Sequence, residues 1–216
     1  AVLSCGNTGA YYASAMLFLK RLEGVEKSCL MATLPTYNDK GVLMLDVGAN
    51  SENTAEQLKS FAIMGNIYAK NVCKIANPKV ALLNIENMQE INFVGNIEGK
   101  EILNGDVDVI VTDGFSGNIA LKTIEGVASV LVKSLKDGFM SSSRTKVGAL
   151  MAKPALKQLM VKFDTKAAGG ALMIGFDKPV IKAHGASDAI AFENAMHLAF
   201  EMVSSDVVKK MKEGLK

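Results

Sequence analysis

The chain has 216 residues, of which 49% are apolar and 21% charged, and its formal net charge is +2. This is the composition of a globular domain with a sizeable core, so a largely disordered chain is excluded. The nearly balanced charge gives no general attraction to nucleic acid, and no nucleic-acid partner is expected. Three cysteines without a C-x-x-C pair indicate neither a zinc site nor a disulfide framework. Free thiols in a reducing cytoplasm are the simplest interpretation.

Short apolar segments alternate with longer amphipathic ones along the chain. Segments such as "GVLMLDVG" and "VDVIVTDG" are continuously apolar, as in strands that are buried on both faces of a parallel sheet. The alternation predicts one α/β domain over residues 1–216, a three-layer α/β/α sandwich with a mostly parallel sheet. No apolar run reaches 18 residues, so no membrane-spanning helix is predicted. In chain order, the strands are predicted near 1–5, 28–33, 41–47, 79–85, 91–94, 107–112 and 179–184, and the helices near 9–22, 54–73, 116–136 and 187–213.

One connection does not fit this alternation. The predicted strands in "KVALLNI" and "INFVGNI" are separated only by residues 86–90. A parallel crossover needs about a dozen residues or more, usually with a helix. Either this pair is antiparallel, or the chain as given omits a segment near 86–87. We favour the omission, because the chain also begins inside an apparent strand and its N-terminal part appears cut short.

Turns of small residues end several of the predicted strands. Ligands of open α/β sheets bind outside the carboxyl ends of strands, where turn N–H groups and a following helix N-terminus favour an anion. The opening turn is therefore predicted to bind phosphate through Gly6, Asn7, Thr8 and Gly9, and a purely structural turn is the alternative. The five turns are "GNTGA" (6–10), "TLPT" (33–36), "DVGAN" (46–50), "DGFSGN" (113–118) and "KAHGASD" (182–188).

Three further side chains have both a functional and a structural interpretation. Ser116 is either a helix N-cap or a site residue, and Lys122 is either solvated or reaches back to a phosphate. His184 is an acid, a base or an anion donor, or it is structural; His197 is predicted to be structural. The G-x-S-x-G, P-loop and G-x-G-x-x-G motifs are absent, so a serine triad, a P-loop site and a dinucleotide site are not indicated.

A basic amphipathic segment, "RTKVGALMAKPALKQLMVKF" (144–163), has five cations and no carboxylate. It predicts a pair of helices with a break at Pro154, protruding from the domain over residues 139–165. Such a segment binds an anionic membrane surface, or it packs against a partner subunit or the core. The side chains predicted to lie at an exposed helical tip are Leu150, Met151, Leu159 and Met160.

The long motifs occur in an order that resembles a known family. "GNTGA", "TLPT", "LDVGAN…FAIMGNIYA", "NFVGNIEG", "DGFSGNIALKTIEG" and "KPVIKAHGASDA" together resemble the phosphate acyltransferases of bacterial phospholipid synthesis, the PlsX family. The resemblance implies transfer of an acyl group from acyl-[acyl carrier protein] to inorganic phosphate. It also implies a fold like that of isocitrate and isopropylmalate dehydrogenases, a homodimer, and peripheral association with the inner face of the bacterial membrane. Members of the family have an additional N-terminal stretch and a longer segment at the short link, which agrees with an omission.

This chemistry needs no covalent enzyme nucleophile, because phosphate itself attacks the thioester. The site must position two substrates and stabilise an oxyanion. Asn7 and Thr8 are expected to bind phosphate, and His184 to donate to the carbonyl oxygen or the leaving sulfur. Asn118, Lys122 and Lys182 are alternative anion contacts. The supporting residues, expected to orient turns and lysines, are Asp46, Asn50, Asp113, Ser116 and Asp188.

No cofactor and no metal ion are expected. The alternatives are a phosphate acetyltransferase-like enzyme that uses acyl-CoA, a decarboxylating dehydrogenase of the same fold, and a non-enzymatic membrane scaffold. The dehydrogenase would need a metal-binding aspartate cluster and a nicotinamide site, and the sequence has neither signature.

Overall fold

A mixed eight-stranded sheet forms the centre of the computed structural model, which describes residues 1–83, 91–162, 169–185 and 187–215. The strands lie side by side in the order β1-β8-β7-β2-β3-β6-β4-β5. They are β1 (Val2–Ser4), β2 (Cys29–Leu34), β3 (Val42–Leu45), β4 (Val80–Leu82), β5 (Phe93–Asn96), β6 (Val109–Val111), β7 (Ala171–Ile174) and β8 (Val180–Lys182).

Helices pack against both faces of this sheet, as the predicted layers require. One core cluster joins the sheet to α2, α5 and α6, and the other joins it to α1 and α3. Mixed α/β architecture is thereby confirmed. The helices are α1 (Thr8–Phe18), α2 (Ala55–Asn71), α3 (Gly114–Met140), α4 (Ser143–Lys162), α5 (Ala189–Ser204) and α6 (Val207–Gly214), and a 3-10 turn spans Gly99–Glu101.

Strand direction reverses in the middle of the sheet. β1 and β8 are parallel to each other, β7 is antiparallel to β8 and β2, and β2 is antiparallel to β3. β3, β6, β4 and β5 are then all parallel. The carboxyl ends of β1, β2 and β8 therefore lie at one edge, and those of the remaining strands lie at the opposite edge. The sheet is mixed, and the five small-residue turns of the sequence are divided between these two edges.

Four local predictions need correction. The sequence missed β7, because Ala, Leu and Met favour helices and only pairing between β2 and β8 makes "ALMI" a strand. The helix predicted over 187–213 is two helices, separated at Asp206, whose φ is 53°. α4 continues through Pro154 without a break, because α4 is exposed and the carbonyl group freed by proline remains accessible to water. β4 and β5 pair in parallel, so the antiparallel alternative is wrong; residues 84–90 lie outside the described part of the chain.

The loop after β3 is organised by one buried carboxylate, that of Asp46. Its Oδ1 accepts hydrogen bonds from the backbone N–H groups of Leu30 (3.0 Å), Gly48 (3.2 Å) and Ala49 (2.9 Å). Its Oδ2 accepts from the backbone N–H (2.9 Å) and the side-chain amide (2.7 Å) of Asn50. Burial raises the pKa of Asp46, and these hydrogen bonds oppose that shift. The carboxylate thus ties the 46–50 loop to β2.

Helix α3 begins in direct contact with this loop. A Cβ atom on Gly114 would lie 1.9 Å from the carbonyl oxygen of Asn50, and one on Gly117 would lie 1.9 Å from that of Asp46. Real Cβ atoms do not approach oxygen so closely, so only glycine permits this packing. The two glycines therefore determine where α3 sits on the sheet.

Replacement of Gly117 by alanine should destabilise the protein. We expect Gly117→Ala to lower the free energy of unfolding by about 2–3 kcal/mol, since the added methyl group forces α3 away from the loop. Urea denaturation followed by circular dichroism measures this. Gly126→Ala is the matched control: it lies in the same helix with nothing within 4 Å of the added Cβ. It should be neutral or stabilising by up to about 1 kcal/mol. Equal midpoints for the two variants would contradict the close packing.

Candidate active site

A cavity of about 610 Å³ extends along β2 from Leu30 to Leu34, on the face of the sheet that carries α1 and α3. Its volume lies within the range of about 300–1,000 Å³ typical of small-molecule sites. The amino end of α1, the first half of α3, the end of β8 and the end of α4 complete its walls. Five of the residues singled out in the sequence line it: Thr8, Asn118, Lys122, Lys182 and His184.

These five residues come from both edges of the sheet. Thr8, Lys182 and His184 follow or end strands of one edge, whereas Asn118 lies in α3, which starts at the opposite edge next to Gly48. They share a cavity because α3 runs back across the face of the sheet. Residues that follow strand ends and residues of α3 therefore line the same cavity; that they form the site stays a prediction.

Some polar groups of the opening turn cap helix α1, whereas others are left for the cavity. Asn7 is the N-cap of α1: its Oδ1 accepts from the N–H of Ala10 at 3.0 Å, and its carbonyl oxygen accepts from the N–H of Tyr11 at 2.9 Å. The N–H of Gly6 donates to Ser4 Oγ at 3.1 Å. Within the described part of the chain, the N–H groups of residues 8 and 9 have no partner, and Thr8 also lines the cavity. An anion at this turn would therefore meet Thr8 and Gly9, while Asn7 holds the turn in shape.

Lys182 and His184, at and just after the carboxyl end of β8, both line the cavity. Lys182 is buried, pairs in register with Ser4 and Ala171, and donates from Nζ to the carbonyl oxygen of Ala183. Burial lowers the pKa of the Lys182 amine, and the nearby Cys5 thiol partly offsets this effect. His184 lies two residues further along, exposed and facing the cavity.

Helix α3 contributes a lysine in an ion pair to the opposite wall of the cavity. Lys122 Nζ and Glu125 Oε2 are 2.7 Å apart, and both residues line the cavity. Lys122 is therefore paired with Glu125 rather than simply solvated, and an anion would have to compete with this carboxylate. No role was predicted for Glu125, although its spacing of three residues from Lys122 on a helix is a recognisable signal.

The residues named as supporting make hydrogen bonds in turns and at helix starts. Asp113, not Ser116, is the N-cap of α3: its Oδ1 accepts from the N–H of Ser116 at 2.8 Å. Asp188 caps α5 by accepting from the N–H of Ala191 at 3.0 Å. Asn50 joins its loop to β2 by donating to the carbonyl oxygen of Ser28 at 2.9 Å.

Sequence reasoning also missed the end wall of the cavity. Lys162, the last residue of α4, forms an ion pair with Asp39 (2.6 Å) and donates to the carbonyl oxygen of Tyr37 (2.7 Å). These contacts tie α4 to the β2–β3 turn, 125 residues away in sequence from Tyr37, so no local pattern predicts them. Among the residues that the structure describes, no group of three or more His, Cys, Asp and Glu residues could hold a metal ion.

Helices α3 and α4 pack against each other and carry many exposed apolar side chains. The four that the sequence assigned to a helical tip are exposed by 39–81%. They lie along α4 rather than at a helical tip. The tip is formed by the polar connection between α3 and α4 at Ser141–Ser142. By length and composition alone, α3 could span a membrane, a criterion that core helices of soluble proteins also meet. Its first half lines the cavity and so lies on the sheet. The four α4 side chains are Leu150, Met151, Leu159 and Met160.

Comparison with known proteins identifies the family. The family model described as "Fatty acid synthesis protein" matches residues 1–87 and 85–210. A phosphate acyltransferase of Exiguobacterium sp. is 45% identical over 98% of this chain and 70% of its own length. One of Lactococcus lactis subsp. lactis is 44% identical over 99% of this chain and 70% of its own length. This chain belongs to the fatty acid synthesis protein family. The resemblance to the phosphate acyltransferases that its motifs suggested is therefore confirmed.

A solved structure supports the fold of this family member. A phosphotransacetylase from Streptococcus pyogenes superposes with a TM-score of 0.57 at 15% identity, covering 94% of this chain and 61% of that one. At this identity the likeness concerns the fold alone. The two segments matched by the family model overlap at residues 85–87, next to the predicted omission near 86–87, which stays a prediction.

The division of roles in the opening turn of this family member can be tested by phosphate binding. Thr8→Val removes a hydroxyl from the cavity and should weaken the affinity for inorganic phosphate roughly tenfold, since a hydrogen bond to a charged group contributes about 1.5–3 kcal/mol. Isothermal titration calorimetry measures it. Asn7→Ser is the matched control, because serine retains N-cap ability outside the cavity. An equal loss in both variants would contradict the division of roles, and no loss in Thr8→Val would leave only the backbone N–H groups of the turn as anion contacts.

Proposed function

We propose that the cavity transfers an acyl group from the thioester of acyl-[acyl carrier protein] to inorganic phosphate, which yields acyl phosphate and free carrier protein for phospholipid synthesis. One observation carries the proposal: anion-binding groups at Thr8, Lys182 and His184 lie in the same cavity as an apolar strip of β2 and α3. Family membership supports an acyl-transfer enzyme with phosphate as acceptor. Family membership does not name the acyl donor, and the carrier protein as donor is our proposal.

Phosphate is well suited to be the nucleophile. The second pKa of a phosphate ester is about 6, so by analogy much of the inorganic phosphate is dianionic near neutral pH. A phosphate oxygen attacks the thioester carbon and forms a tetrahedral oxyanion. Collapse of this intermediate breaks the C–S bond and releases the carrier thiolate, which takes up a proton. Since a cysteine-like thiol has a pKa of about 8.5, the leaving group needs little assistance.

The cavity offers groups for each of these requirements. The N–H groups of Thr8 and Gly9, at the positive end of α1, bind and orient phosphate. The Lys182 amine lies in the wall beside them and attracts the same anion. His184 donates a proton or a hydrogen bond to the oxyanion or to the leaving sulfur.

The wall formed by α3 adjusts the charge of the site. Asn118 is a neutral donor toward the substrates. Lys122 is held by Glu125 until an anion competes for it, so the pair limits non-productive anion binding in the empty cavity.

The assay for this function is phosphate-dependent release of free carrier thiol. His184→Ala should lower kcat about 100-fold, because it removes a donor that acts in the transition state. His197→Ala is the matched control: this histidine is exposed on α5, 3.9 Å from Glu193 and outside the cavity. The control should retain wild-type activity.

Three outcomes would contradict parts of the proposal. Activity of His184→Ala within a few-fold of the wild type would make this residue structural. Release of coenzyme A from acetyl-CoA, with no activity on carrier-protein thioesters, would favour the acetyltransferase alternative. Absence of phosphate-dependent release with either donor would favour the scaffold alternative.

We further propose that α3 and α4 bring this enzyme to the anionic inner face of the bacterial membrane from the cytoplasm. Four cations of α4 are exposed, whereas Lys162 is paired with Asp39. Each exposed cation near an anionic surface contributes about 1 kcal/mol, and inserted apolar side chains add to this. From the family resemblance we also propose a homodimer and a fold like that of isocitrate and isopropylmalate dehydrogenases. The four cations are Arg144, Lys146, Lys153 and Lys157.

The membrane proposal predicts a separation of binding from catalysis. Met151, exposed by 81%, is the most exposed large apolar side chain of α4, and Met151→Glu should abolish salt-sensitive binding to vesicles containing phosphatidylglycerol. Activity on soluble substrates should be retained. Gln158→Glu adds the same charge to the same helix without removing an apolar group, and it should bind more tightly than Met151→Glu. Vesicle flotation measures both. If Met151→Glu instead dissociates a dimer in light scattering, α4 is a subunit interface.

A further inference from the structure

Beyond its polar end, the cavity has an apolar wall that the chemistry at phosphate does not use. We define the apolar wall as the cavity-lining side chains of Leu30, Ala32 and Leu34 on β2 and of Leu121, Ile124 and Ala128 on α3. Leu30 and Leu34 are buried in the core, whereas Ala32 and the three α3 residues are only half-buried. The half-buried members therefore leave their apolar surface to the cavity.

The α3 members of the apolar wall form one row along the helix. Residues 121, 124 and 128 are three and four positions apart, the spacing that places side chains on the same helical face. The next positions on this face belong to the part of α3 beyond residue 128, which contributes no residue to the cavity. Ala128 is thus the last residue of the row in the cavity, at the point where α3 leaves the sheet toward α4.

The end of α4 also contributes to the wall of the cavity. Val161 and Lys162 line the cavity, and Lys162 is fastened to the β2–β3 turn by its ion pair with Asp39. Where the row on α3 ends, Ala128 presents only a methyl group to the cavity. A small residue at this position leaves a passage that a large side chain would close.

We infer that the apolar wall holds the acyl chain of the substrate and that Ala128 determines how long a chain the cavity accepts. The carbonyl end lies at Thr8, Lys182 and His184, and the chain extends along Ala32, Leu121 and Ile124 to pass Ala128. This inference rests on the proposed function, since it assigns the acyl chain of that same reaction. The occupant is an acyl chain, because the wall is apolar and shares its cavity with the residues assigned to the thioester end.

The test compares hexadecanoyl- and hexanoyl-[acyl carrier protein] in the phosphate-dependent release assay. In the wild type, kcat/KM should rise with chain length by up to about fourfold per methylene in contact, the equivalent of about 0.8 kcal/mol for each buried CH₂. In Ala128→Phe, the ratio of kcat/KM for hexadecanoyl to hexanoyl substrate should fall at least tenfold. Ser129→Phe places the same ring at the neighbouring exposed position outside the cavity and should keep the wild-type ratio.

A second variant serves if Ala128→Phe does not fold by circular dichroism. Ile124→Ala removes three carbons from the apolar wall and should lower the same ratio roughly tenfold through lost contact with the chain. An unchanged ratio in a folded variant, or equal use of both chain lengths by the wild type, would overturn the inference and leave the proposed function intact. Absence of phosphate-dependent release with either substrate would instead overturn the proposed function itself.

Discussion

The buried carboxylate of Asp46 is the interaction on which the site depends. Its five hydrogen bonds hold the 46–50 loop in one conformation and join the loop to Leu30 of β2. Gly114 and Gly117 let the start of α3 press against the backbone of that loop. Since α3 supplies one whole wall of the cavity, the position of Asn118 and Lys122 follows from a carboxylate that does not line the cavity. A buried acceptor of this kind is costly to leave unsatisfied, which makes the arrangement rigid.

The reversal of strand direction explains how the cavity combines its parts. In a wholly parallel sheet, all carboxyl ends would meet at one edge and ligands would bind there. Here β1, β2 and β8 end at one edge, and β3 and β6 end at the other. α1 starts at the first edge and α3 at the second, and both lie on the same face of the sheet. Their side chains therefore enclose one space above β2, with polar groups from both edges.

The arrangement suits a reaction in which the substrates supply the reactive groups. The described site offers helix N–H groups, one buried lysine, one histidine and a lysine balanced by a carboxylate. Such groups position and stabilise charge. The apolar wall leads from this polar end toward α4, where exposed apolar and basic side chains are concentrated. The polar lining residues and the apolar wall thus follow one another along helix α3.

The sequence by itself determined the alternation of strands and helices, seven of the eight described strands, the family, and which small-residue turns follow strands. These depend on local periodicity and on long motifs. Only the tertiary structure decided that β7 is a strand, that the strand ends lie at two edges, that Glu125 neutralises Lys122 and that Lys162 reaches Asp39. Each of these follows from contacts between segments far apart in the chain, or from the rotamer of an exposed side chain. A linear pattern contains no information about which distant groups come within hydrogen-bonding distance.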